Sequence, residues 1–143
     1  MSQDLKSPWV GTDAEFLALL TQTLFITGFD ERVVRRRWPA FTVAFAGFDV
    51  DAVAAFDEPH VERLVAQDSD IIRNNRKVRA TVANASACAH LRQEHGSLRE
   101  FVAHLHALEQ SKACAQLVHL FVGIGEAGAK ALYQRLFTDS RAT

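Results

Sequence analysis

One stretch limits what this chain can fold into more than any other, the segment from about Asp70 to Glu94. Ile71, Ile72, Val78, Val82, Ala85, Cys88 and Ala89 recur there at the spacing of one helix face, and Gly96 stands where such a helix would close. The opposite face carries Arg73, Arg76, Lys77 and Arg79, within a run of seven residues that contains no acid. This pattern predicts the longest and most central helix of an all-helical domain.

The rest of the chain is punctuated for shorter helices. Thr12 or Asp13 can cap a helix that runs to about Thr27 and stops at Gly28, and Asp30 can cap ERVVRRRW, ending before Pro39. AFTVAFA would form a third helix up to Gly47, Asp49 caps VDAVAAF, and Asp57 opens PHVERLVA with proline in the tolerant first turn. Ser97 caps SLREFVAHLH, with Glu100 completing a capping-box pattern. Ser111 opens a final pair of helices interrupted between Gly123 and Gly125. Only 7 Gly and 3 Pro are spread over 143 residues, too few for the turns of a multi-stranded sheet. The length suits a single domain, residues 1–143.

Composition also excludes whole classes. The densest apolar run, AEFLALLTQTLFITGF, is broken by Thr21, Gln22, Thr23 and Thr27, so no membrane span is expected. MSQDLKSPWV lacks the apolar core of a signal peptide, and Cys88 and Cys114 stand far apart, which points to a cytoplasmic chain without a disulfide framework. Sixteen Lys and Arg against seventeen Asp and Glu give a net charge of -1, yet Arg35, Arg36 and Arg37 are consecutive. Such local basic runs suit either a solvated helix face or one face that touches a polyanion.

The segment from Phe41 to Ser86 carries a specific pattern. An aromatic-rich start runs into Phe48 and Asp49, a short acidic helix ends in Val61-Glu62-Arg63-Leu64, and Ile71-Ile72-Arg73 is followed by Lys77, Ala80, Asn84 and Ala85. In order and spacing this resembles the DNA-3-methyladenine glycosylase I family of the helix-hairpin-helix glycosylase superfamily. The resemblance implies that superfamily's helical fold, duplex DNA as partner and base excision by hydrolysis of the N-glycosidic bond of an alkylated purine, carried out by a monomer. LFVGIGEAGAKAL, with Gly123 and Gly125, looks like the superfamily's DNA-binding hairpin, in which a tight turn aims the free N–H groups of the next helix at a phosphate. The expected DNA-binding residues are therefore Arg73, Asn74, Lys77, Gly123, Gly125 and Lys130, although a G-I-G between two helices is also an ordinary turn.

Two departures from the family bear on chemistry. Where the family has E-x-x-Q-A-G-L-S-W, whose glutamate contacts the base and whose tryptophan stacks on it, this chain reads TLFITGFDE. Aligned on Gly28, the glutamate position falls at about Thr23 and the tryptophan position at Glu31. Asp30 or Glu31 is then the candidate catalytic acid, with an N-cap role as the competing reading of Asp30. Phe29 and Trp38 are candidate base-stacking residues, as Trp9 and Tyr133 would be, against their use as core filling. The family's zinc ligands also have no counterparts, since Met1 to Trp9 holds no Cys or His. Cys88 with His90, His104 with His106, and Cys114 with His119 are spaced by two or five residues, off a common helix face. No metal and no other cofactor are expected. Excision of a cationic base, a good leaving group, and DNA binding without excision both remain open at this stage.

Overall fold

A computed structural model describes residues 9, 11–27, 30–66, 71–72 and 74–137. Nine α-helices and no strand are found among them. The first, α1 (Asp13–Ile26), starts at Thr12, whose hydroxyl accepts from Glu15 N at 3.1 Å while Glu15 Oε1 accepts from Thr12 N at 2.7 Å. That reciprocal box satisfies two of the amides a helix start leaves unpaired. Phe16, Leu17, Leu20, Leu24 and Phe25 of α1 are all buried, so the helix runs through the centre of the domain.

Two short helices follow, α2 (Glu31–Arg36) and α3 (Trp38–Ala44). The sequence pattern ends a helix before Pro39, whereas Pro39 lies inside the first turn of α3 with Trp38. Proline costs little there because its missing N–H would have no helical partner. After α3, the turn Ala46–Phe48 places three successive residues at positive φ, 52° for Ala46, 67° for Gly47 and 61° for Phe48. Left-handed backbone costs about 1–2 kcal/mol per non-glycine residue, and here it delivers Phe48 into the core, 2% exposed.

Asp49 and Asp57 cap α4 (Val50–Ala54) and α5 (Glu58–Leu64), as their positions imply. The longest helix, α6 (Asn75–His95), begins at Asn74 rather than near Asp70. Asn74 Oδ1 accepts from Lys77 N at 3.0 Å, which fixes the start, so Ile71 and Ile72 precede the helix although Ile71 is buried beside it. Gly96 ends α6 at φ 95°, backbone that glycine takes without a Cβ penalty. The chain closes with α7 (Leu98–His106), capped by Ser97, then α8 (Gln110–Leu120) and α9 (Glu126–Leu136).

Charges on α6 are largely tied to neighbouring helices. Arg79 is bonded to both carboxylate oxygens of Glu58, at 2.8 Å for one of them, and Arg92 bridges Asp51 on α4 at 2.5 Å and Asp13 on α1 at 3.9 Å. Arg79 and Arg92 thus stitch α6 to its neighbours. No helix among the described residues is long and apolar enough to cross a membrane.

Candidate functional site

Two polar side chains of α6, seven residues apart and so on one face, bind backbone outside their own helix. Lys77 Nζ donates to the carbonyls of Leu24 and Thr27, both at 2.5 Å, at the C-terminal end of α1. They belong to the last turn of α1 and its C-cap, where a helix leaves carbonyls short of partners, and a cation also complements that end of the helix dipole. Partial burial, with Arg76 nearby, lowers the pKa of Lys77. Asn84 is 1% exposed and pairs with Val122 on both sides of its amide: its side-chain N–H donates to Val122 O (3.1 Å) and its Oδ1 accepts from Val122 N (2.7 Å). One side chain therefore fixes the connection between α8 and α9.

That connection needs glycine at one position. Gly123 has φ 80°, and a Cβ added to it would lie 2.6 Å from Leu24 Cδ1. Gly125 is the N-cap of α9 at φ -92°, with open space where a Cβ would stand. Between them Ile124 is buried, which seats the turn on the core.

The elements that Lys77 and Asn84 hold in place, the end of α1 and the start of α9, flank a cleft of about 420 Å³ closed on its third side by α2. Thr23, Ile26 and Thr27 line it from α1 and the residue after it, Glu31 and Arg35 from α2, and Ala127, Gly128, Ala131, Gln134 and Arg135 from α9. The Thr23 hydroxyl is committed as a donor to Leu19 O at 2.8 Å, leaving it an acceptor toward the cleft. Arg35 Nε donates to Glu31 Oε2 at 2.8 Å across one helical turn, with both side chains about half exposed (54% and 51%). Such an exposed pair is worth only about 0.3–0.5 kcal/mol, so Glu31 is partnered but not locked. Arg135 is half-buried, and its pKa is lowered first by burial and next by the like charge of Arg35, with Glu31 pulling the other way.

Among the described candidate acids and aromatics singled out in the sequence, Glu31 alone lines this cleft. Asp30 is the N-cap of α2: its carboxylate accepts from Arg32 N at 2.8 Å and pairs with the Arg32 guanidinium at 3.3 Å, which lowers its pKa. Trp38 is not a cleft residue. It is sandwiched between Phe41 and Phe48, both ring centroids at 5.1 Å and nearly parallel, in a column continued by Phe45 and Phe56. Tyr133 packs edge-on against Phe137, and Trp9 against Phe16. Phe29 and Arg73 lie outside the described residues. Asn74 caps α6, and Lys77 is engaged with the end of α1. Lys130 is exposed on another face of α9, where it lines a separate groove with Gln110, Ser111, Cys114 and Glu126.

Burial pushes both thiols up, Cys88 strongly and Cys114 less, so neither is an activated nucleophile. No group of three or more His, Cys, Asp or Glu side chains that could hold a metal ion is found among the described residues. Sequence reading missed Asn84 and Arg135. Asn84 belonged to the matched pattern, and its seven-residue spacing from Lys77 was the available signal; Arg135 sits in no motif and is brought to the cleft only by the rotation of α9.

Comparison with known proteins agrees with this architecture. The family model for methyladenine glycosylases matches residues 7–137. Among solved structures, a crystal structure of 3-methyladenine DNA glycosylase I superposes with a TM-score of 0.74 at 20% identity, covering 91% of this chain and 82% of that one. The 3-methyladenine DNA glycosylase I of Staphylococcus aureus superposes with a TM-score of 0.75 at 17% identity, over 90% of this chain and 79% of that one. A solution structure of a 3-methyladenine DNA glycosylase I gives 0.72 at 21% identity, over 90% and 79%.

Proposed function

This chain belongs to the methyladenine glycosylase family, and from that premise we propose that it acts as a single-domain monomer on duplex DNA, hydrolysing the N-glycosidic bond of alkylated purines. Family and fold point to DNA as the partner and to base-excision repair as the setting. The observation that carries the reading is the anchoring of the α1–α2–α9 cleft by Lys77 and Asn84, two residues of the family-like pattern. A base drawn out of the stack needs a pocket with fixed walls, and α6 supplies them.

Within that cleft Glu31 is the group suited to stabilise positive charge developing on the sugar as the bond to the base breaks. Asp30 supports it by capping α2 and so setting the direction of the helix that bears Glu31. DNA would approach over the turn at Gly123 and Gly125, used as a helix-hairpin-helix element, with the first free amides of α9 toward a phosphate and Arg73 and Lys130 adding charge. In this arrangement Asn74 and Lys77 contribute by shaping the cleft rather than by touching DNA.

A second reading, DNA binding without excision, is favoured by one specific feature. Aligned on Gly28, Thr23 falls at the family's base-contacting glutamate, and Glu31, the one acid among the described cleft residues, is paired with Arg35. Excision is accordingly expected to be slow and confined to bases that leave easily. Incubation with heavily methylated duplex, assayed for free base by chromatography, separates the two. Release that Glu31→Gln abolishes supports excision, whereas no release together with tight binding of an abasic-site duplex supports binding alone.

A further inference from the structure

The same cleft carries a charge pattern that base extrusion does not require. Arg35 and Arg135 approach it from two different helices, against one carboxylate among the described residues, Glu31. Arg35 answers that carboxylate, while Arg135 has no ion pair or hydrogen bond to any described residue. A half-buried guanidinium near a like charge, with two arginines against one acid among the described lining residues, is an arrangement that an oxyanion stabilises. Guanidinium groups meet phosphate oxygens in bidentate fashion.

The geometry points to a phosphate-binding site formed by Arg135 and Arg35 in the α1–α2–α9 cleft, distinct from the turn at Gly123 and Gly125. The Glu31–Arg35 pair is weak and exposed enough to open when an anion enters, leaving Arg35 free to turn toward it. The phosphate is either that of a DNA backbone beside an extruded nucleotide, which rests on the functional reading above, or that of a free mononucleotide. Either way, the cleft handles a nucleotide through its phosphate while Thr23 and Ile26 form the wall nearer the core.

Titration of the whole chain with inorganic phosphate, followed by amide chemical shifts, tests the site directly. Saturable shifts should centre on Thr27, Glu31, Arg35 and Gln134, and Arg135→Gln should weaken the affinity about tenfold while Lys112→Gln, on the exposed face of α8, leaves it unchanged. A short duplex and a mononucleotide are then compared at fixed salt. If the occupant is a backbone phosphate, the duplex shifts the same amides and inorganic phosphate competes with it. If it is a free nucleotide's, the mononucleotide alone does so, and the functional reading loses its support while the site stands. Phosphate shifts that are absent, scattered over the surface or indifferent to Arg135→Gln and Arg35→Gln together would overturn the site, whatever the DNA experiment gives.

Discussion

The face of α6 that holds neighbouring backbone and the cleft it helps build follow different rules. Lys77 and Asn84 match the family's pattern, and each makes two hydrogen bonds to backbone of another element, so the positions of α1 and α9 depend on them. In the cleft between those elements, alignment on Gly28 sets Thr23 against the family's glutamate and Glu31 against its tryptophan, and Arg35 and Arg135 line the same cleft. The α6 side chains hold backbone of neighbouring elements, whereas Glu31 and Arg35 in the cleft are half exposed and paired only weakly. Family membership transfers most safely to the scaffold, and the cleft has to be read from its own side chains.

This contrast can be broken by substitution. The largest effect is expected for Asn84→Ala, which leaves both polar groups of Val122 without their partner and opens space beside the core. A loss of about 2–3 kcal/mol in denaturant unfolding is expected. Gly123→Ala should follow at about 1–2 kcal/mol, because the positive φ and the approach of Leu24 both oppose a Cβ. Lys77→Met removes a cation from two carbonyls that are partly open to water, and about 1 kcal/mol is expected, with amide exchange near Thr27 accelerated more than elsewhere. Smallest are Glu31→Gln and Arg35→Gln, each within about 0.5 kcal/mol since their pairing is half exposed. If the cleft variants destabilised the protein as much as the α6 variants, the division between scaffold and site would fail.

The helices were largely legible before any coordinates. Thr12, Asp30, Asp49, Asp57, Ser97 and Gly96 all serve as caps or stops where the pattern places them, because capping is a local interaction that leaves its mark within four residues of sequence. Boundaries moved where two local signals compete, as at Pro39, which can end one helix or begin another, and at Ile71 and Ile72, whose helical spacing is cut off by the cap at Asn74. The site was legible only in part. Glu31 came from alignment on Gly28, but Trp38 was drawn into an aromatic column whose members, Phe41, Phe45, Phe48 and Phe56, are all apolar positions with no mark of which ring will face a ligand. Arg135 required the three-dimensional meeting of α9 with α2, about a hundred residues apart in the chain, which no local pattern encodes.

The division between a kept scaffold and an altered cleft is tested most directly by returning the missing carboxylate. Thr23 is 4% exposed and lines the cleft, and Thr23→Glu would set an acid at the position that alignment on Gly28 gives to the family's base-contacting glutamate. Single-turnover release of free base from methylated duplex should rise about tenfold or more over the unmodified protein, with unfolding curves confirming that the variant is folded. Release that is already fast without the substitution, and unchanged or lowered by it in a folded variant, would contradict a cleft whose chemistry has departed from the family on an unchanged frame.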